Sequence, residues 1–350
     1  MAGKNGKTRP FTAVNYSAAR LAREKQRREY EQQKKEKLIF ALFVVIILVM
    51  ILFAILIFKK VLGGDEPVDP SLVSESGESS TETETEAETG ALSAYENKVF
   101  AKNEIYTGDL ILIDSSHPYR NTTTPTLKDI YSSRNKFEKA SSSTGYVYSY
   151  YPAGKTEMLA TEAIEALNQL ADEFYRQKGN NDLYVHAGEA YVAGADDEHA
   201  TGYAFDLSVY TIDHIHYELN DSRASADFKW VEDNYYKYGF ILRYPEAKSS
   251  VTGVSDDPYH FRYVGIAHAY YMFKNNLCLE EYLDLLRTRH AFRGAGEDNL
   301  VFTADDGCRY EVYYVAAEGD MIQVPILSKN ASFEVSGDNV GGFVVTIRHK

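Results

Sequence analysis

Two short segments gather most of the residues able to do chemistry. The first is Glu198-His199-Ala200-Thr201-Gly202-Tyr203-Ala204-Phe205-Asp206, and the second is Asp256-Asp257-Pro258-Tyr259-His260-Phe261-Arg262-Tyr263. Gly202 and Ala204 lie between His199 and Asp206. Small residues there let a turn fold back, so a loop histidine can meet a strand aspartate. His260 opens a run in which the two-residue period of a strand sets His260, Arg262 and Val264 on one face. Two imidazoles and one carboxylate are the ligand set of a catalytic zinc, with the fourth position left for water. Such a set adds one negative charge, so the ion stays net positive and acidifies that water. Asp257, three residues before His260, stands where a general base would act. The same spacing also suits a hydrogen-bonded histidine and a turn aspartate, and both readings stand at this point. His214 and His216 form a further H-x-H pair, but Asp213, Asn220 and Asp221 around it suit a solvated loop.

The elements that must carry these residues are mixed. Residues 109–113 read as a buried strand, 156–174 as a helix with Leu159, Ala163, Ala166, Leu167, Leu170 and Phe174 on one stripe, and 183–185 as a short strand. Residues 204–209 and 260–264 read as strands, and 225–238, 266–273 and 280–286 as helices. Without regular β-α-β alternation, the class is α+β. Beyond residue 290, short strands at 299–303, 310–315, 321–324 and 343–347 alternate with Asp-Gly, Glu-Gly and Gly-Gly turns, which reads as a small β-rich module.

Charge is distributed very unevenly. Among 350 residues the formal net charge is −14, with 44 % apolar and 25 % charged residues, which excludes wholesale disorder. An acidic chain is also a poor partner for nucleic acid. Residues 1–37 hold 11 Lys/Arg against 4 Asp/Glu, and residues 38–58 hold no charge. That apolar run would be about 31 Å long as a helix, enough to cross a lipid bilayer. It reads as a single-pass signal anchor, with the N-terminus cytoplasmic and the acidic remainder outside. Residues 63–90, with nine acidic residues and no Lys or Arg, read as a disordered stalk. Cys278 and Cys308 are too few for a disulfide scaffold or thiolate cluster. Outside the membrane they are candidates for one bridge between core and module.

The two segments resemble the VanY-type D-alanyl-D-alanine carboxypeptidases, zinc peptidases with a hedgehog/DD-peptidase-like fold that trim peptidoglycan stem peptides. The family pattern S-x-H-x-x-G-x-A-x-D is matched by residues 198–206, while Asp197 takes the place of the serine. Tyr238-Gly239-Phe240-Ile241-Leu242-Arg243-Tyr244-Pro245, Thr252-Gly253, His260-Phe261-Arg262-Tyr263-Val264-Gly265 and Leu279-Glu280-Glu281-Tyr282-Leu283 match further family runs, and 108–114 resembles an earlier strand. The resemblance implies His199, Asp206 and His260 as zinc ligands and Asp257 as the base. In a working peptidase, substrate recognition is then expected to rest on Arg262 or Arg243, with Thr201 as a further substrate-binding residue, while Arg243 is equally placed to pair with a carboxylate. Departures are also visible. The base is Asp where the family has Glu, Tyr259 replaces Trp, and Val185-His186-Ala187-Gly188-Glu189-Ala190-Tyr191 lacks the family's substrate-gripping Arg. Two functions follow. One is a D,D-carboxypeptidase hydrolysing the terminal D-Ala-D-Ala amide of peptidoglycan stem peptides; the other is a peptidoglycan-binding or scaffolding protein that retains the zinc fold with little turnover. The expected organisation is a basic arm (1–37), a transmembrane helix (38–58), a stalk (59–94), the peptidase domain (95–290) and the β-rich module (291–350).

Overall fold

The computed structural model describes residues 95–120, 125–139, 141–188, 197–210, 215–221, 223–224, 226–294, 297–327 and 331–349. The basic arm, apolar run and stalk lie outside these residues, as does His214. Among the described residues no helix is long and apolar enough to cross a membrane.

Strand β1 (Tyr95–Ala101) opens the described chain. A six-stranded sheet follows, built from β2 (Tyr151–Pro152), β3 (Leu183–His186), β4 (Ala204–Tyr210), β5 (His216–Tyr217), β6 (Phe240–Tyr244) and β7 (Asp257–Tyr263). Its order is β6-β7-β4-β3-β2, with β5 paired to β4 and only the β2–β3 pair parallel. Alternation divides the sheet cleanly. Phe205, Leu207, Val209, Val185 and Phe261 turn to one face, where they pack with helix α1 (Thr161–Lys178) through Ile164, Leu167, Leu170 and Phe174. The helix starts later than the apolar stripe suggests, because Met158–Ala160 pairs with Leu127–Asp129 and buries Leu159 in extended form. It ends at Gly179, whose left-handed backbone (φ 65°) closes the last turn.

The second face carries the polar row. At the β6–β7 end it is covered by α2 (Ile266–Asn275) and α3 (Leu279–Arg289). Ile241, Met272, Leu283 and Leu286 share one core there with Leu110 and Leu112. The 109–113 run is buried as expected but forms no strand. Its backbone is satisfied irregularly: Leu110 N–H donates to Ser336 Oγ, Leu112 N–H to Asp338 O, and Asn339 Nδ2 donates to Leu112 O. Residues 225–238 are likewise not one helix but a short α-turn (Lys229–Asn234) between two 3₁₀ turns.

The C-terminal strands β8 (Leu300–Thr303), β9 (Arg309–Ala316), β10 (Met321–Leu327), β11 (Ala331–Gly337) and β12 (Gly342–His349) include one, β11, that the sequence pattern leaves unmarked. They form a sheet in the order β8-β9-β12-β11, while β10 pairs with β1. Its two central strands, β9 and β12, are buried on both sides. Val312, Tyr314 and Val344 join the α2–α3 core, and Tyr313, Phe343, Val345 and Ile347 pack under β10. A cut at residue 290 would therefore separate β1 from β10 and divide a shared core. His268 on α2 ties the parts together, with Nδ1 2.8 Å from Tyr282 Oη and Nε2 2.9 Å from Thr346 Oγ1. Cys278 and Cys308 are both free thiols, and the Cys308 sulfur accepts from the Arg348 guanidinium.

Candidate metal centre

Strand register sets up the site. His186 on β3 and His260 on β7 both stand opposite Asp206 on β4, so three adjacent strands place one polar row on the face away from α1. His199 reaches the row from the turn Glu198–Thr201. Several local bonds fix that turn. Asp197 caps it by accepting from His199 N–H, and Gly202 closes it at φ 75°. Thr201 Oγ1 donates to Glu198 O and accepts from Tyr203 N–H. The His199 Nδ1 atom lies 2.8 Å from Ala187 O, which places the proton there and leaves Nε2 as the free lone pair. Ala187 N–H is in turn held by Glu157 Oε2 at 2.7 Å, and Glu157 Oε1 lies 3.0 Å from His186 Nδ1. Gly188 (φ 66°) is needed beneath the ring, since a Cβ there would lie 3.2 Å from His199.

The result is convergence. Asp206 Oδ1 lies 3.3 Å from His199 Nε2 and 3.2 Å from His260 Nδ1. Among the described residues these three form the group able to hold a metal ion, with all ligand atoms within 4.8 Å of one another. Zinc bonds of about 2.0–2.1 Å at tetrahedral angles would separate neighbouring ligand atoms by about 3.3 Å, so the donor set and its spacing fit zinc. Burial would raise the Asp206 carboxyl, but bonds to His199 and His260 outweigh it and hold it well below the usual range. Burial depresses His260, yet Asp206 and Glu198 together lift it to about 9. Metal binding there must therefore displace a proton.

The other expected site residues are placed differently. Asp257 begins β7, where its carboxylate accepts from Tyr259 N–H at 3.3 Å. The register between β6 and β7 shifts there, running from Leu242 opposite Phe261 to Tyr244 opposite Asp257. That bulge breaks the alternation that would otherwise set 257 and 260 on opposite faces. Arg243 and Arg262 are corrected from substrate binding to the interior. Arg243 is 1 % exposed and bonds Glu198 through Nε (2.8 Å) and Glu280 through both Nη atoms (3.0 and 2.7 Å). Arg262 is 0 % exposed and donates to Tyr263 O, Asp109 O and Ile111 O, clamping the irregular 109–113 run to β7. A guanidinium so enclosed has no face left for substrate. Thr201 is corrected for the same reason: it is buried, and its hydroxyl is used up in the turn. The roles of Glu157, Glu198 and Glu280 were not legible in the sequence, although Glu198 adjoins His199.

Comparison with known proteins gives consistent matches. The VanY family of D-alanyl-D-alanine carboxypeptidases matches residues 168–266, a span that includes His199, Asp206 and His260. The chain is similar to a D-alanyl-D-alanine carboxypeptidase of Enterococcus faecium, 30 % identical over 262 residues that cover 72 % of this chain and 79 % of the relative. It is also similar to the putative carboxypeptidase YodJ of Bacillus subtilis (strain 168), 44 % identical over 102 residues, but these span only 29 % of this chain and 36 % of that one. Among solved structures, the vancomycin resistance D,D-dipeptidase VanXYg in complex with a D-Ala-D-Ala phosphinate analog matches with a TM-score of 0.56 at 24 % identity, over 73 % of this chain and 99 % of that chain. That likeness is one of fold, the mixed α/β arrangement described above.

Proposed function

The chain belongs to the VanY-type D-alanyl-D-alanine carboxypeptidase family, and from that membership we propose a zinc D,D-carboxypeptidase that removes the terminal D-alanine from peptidoglycan stem peptides. The observation that carries this reading is the convergence of His199 Nε2, Asp206 Oδ1 and His260 Nδ1 on one point. These three residues would hold the zinc, which when bound polarises the scissile carbonyl and lowers the pKa of a water molecule. Asp257 would serve as the general base toward the attacking water and as the general acid toward the leaving amine. Its position at a strand bulge supports this role, because a bulge re-aims the side chain. The His199 ring needs no reorganisation, since Ala187 O already fixes its tautomer.

The reading extends to location. The uncharged run 38–58 following eleven Lys/Arg favours a single-pass anchor in the cell membrane, N-terminus inside, with the peptidase outside facing the wall. The lipid bilayer and the stem peptide are then its two partners. The test is mass spectrometry of a stem pentapeptide and the corresponding tetrapeptide after incubation with the zinc-loaded chain. Loss of one alanine from the pentapeptide alone is the expected result. Loss from the tetrapeptide alone would replace D,D- by L,D-specificity, and no loss from either would refute the activity.

A further inference from the structure

Behind the His260 ring, away from Asp206, three buried polar atoms face one another without hydrogen-bond partners among the described residues: Glu198 Oε2, His260 Nε2 and Arg262 Nη1. Glu198 Oε2 lies 3.6 Å from His260 Nε2, and Arg262 Nη1 lies 3.5 Å from Glu198 Oε1. Both separations are just beyond hydrogen-bond length. Leaving such groups unpaired in the interior is unfavourable, and native structures rarely do so without a functional reason. Glu198 is 1 % exposed, and its other interaction is with Arg243 Nε at 2.8 Å. Two guanidinium groups thus surround one carboxylate, and that carboxylate faces a single imidazole.

The imidazole's two nitrogens have different tasks. His260 Nδ1 faces Asp206 and the metal position, so it must present a lone pair there. The proton of that tautomer then sits on Nε2, and the acceptor in line with it is Glu198 Oε2. We propose that Glu198 is a positioning residue of the metal centre, fixing the tautomer and orientation of His260 from behind while Arg243 and Arg262 hold its carboxylate in place. A ring movement of roughly half an ångström would turn the 3.6 Å contact into a hydrogen bond and satisfy two of the unpaired atoms at once. The arrangement also explains why two buried arginines converge beside a metal site that neither touches. Glu198 is no candidate base, because it lies on the far side of His260 from Asp206.

This inference rests on the metal-centre reading above, and the test separates the two. Zinc affinity of the full chain is measured by competition with a chromogenic chelator, for the parent, Glu198→Gln and Glu198→Asp, each checked by circular dichroism. The expected result is a ten- to hundredfold loss of affinity in both variants, the usual effect of removing such a partner. Affinities within twofold of the parent would overturn the role of Glu198 and leave the metal centre standing. A parent that binds no zinc would overturn both. Because a variant could fail to fold, the second measurement uses the unmodified zinc-loaded chain: the ¹⁵N shifts of the His260 ring should show Nδ1 on the metal and Nε2 protonated. The reverse assignment would overturn the proposal.

Discussion

Replacing Arg243 by methionine asks whether this guanidinium serves the fold or the substrate. The side chain is enclosed, with one bond to Glu198 and a two-pronged contact with Glu280. Methionine fills much of the same volume but leaves Glu198 with only the longer contacts to Arg262 (3.5 Å) and His260 (3.6 Å). Glu280 can turn partly to water, since its side chain is 16 % exposed; Glu198, at 0 %, cannot. Breaking a buried ion pair from one side costs about 3–5 kcal/mol, mainly through the stranded charge. For a protein of this size that lowers Tm on the order of 10 °C. The assay is thermal unfolding of parent and variant, paired with KM for a stem pentapeptide below the variant's transition. The expected result is a large fall in Tm with KM within about twofold of the parent. An unchanged Tm with a tenfold rise in KM would overturn the structural role and return Arg243 to the substrate.

Other outcomes follow from the same geometry. His268 is held neutral by burial, its pKa lowered to about 3 from an ordinary 6.5. The unfolded chain thus binds the extra proton first, so this contribution is intact above pH 6.5 and is lost as pH falls. Urea unfolding at pH 7 and pH 5 should show the parent losing about 2 kcal/mol that His268→Gln does not lose. Asp257→Ala should lower kcat about 10²–10⁴-fold with zinc content unchanged, and Asp257→Glu should retain much more activity; metal loss in the alanine variant would argue against a base. Gly188→Ala, strained at positive φ and pressing on His199, should weaken zinc binding in chelator competition, whereas Gly179→Ala, with open space around it, should not.

The sequence carried the reactive row well but not its supports. His199, Asp206 and His260 stood out because a motif joins them, and strand register then set Asp206 and His260 side by side. Arg243 and Arg262 are substrate candidates in the sequence because the family's substrate Arg has no counterpart here; for Arg243 the alternative, pairing with a carboxylate, is the one the structure shows. Their burial depends on Glu198, Glu280 and the 109–113 backbone, partners 37 to 153 residues away in sequence, and no local pattern encodes that. The 109–113 run reads as a strand because four successive residues, Leu110 to Ile113, are apolar. Side chains of Ser336 and Asn339, together with Asp338 O, take the ladder's place. Strand β11, Ala-Ser-Phe-Glu-Val-Ser-Gly, carries a weak strand signal because it is polar on one face and short of branched residues. Asp257 is marked in the sequence only by its distance to His260, and the register shift where it sits has no sequence signature.

One zinc held by His199, Asp206 and His260 and used to release D-alanine is the centre of the proposed function. The most direct test strips the purified chain with a chelator and then adds zinc stepwise while alanine release from a stem pentapeptide is followed. The expected result is no release from the stripped chain and full release at one zinc per chain, with His260→Ala inactive throughout. Release that persists after stripping, or that His260→Ala matches at one equivalent, would contradict it.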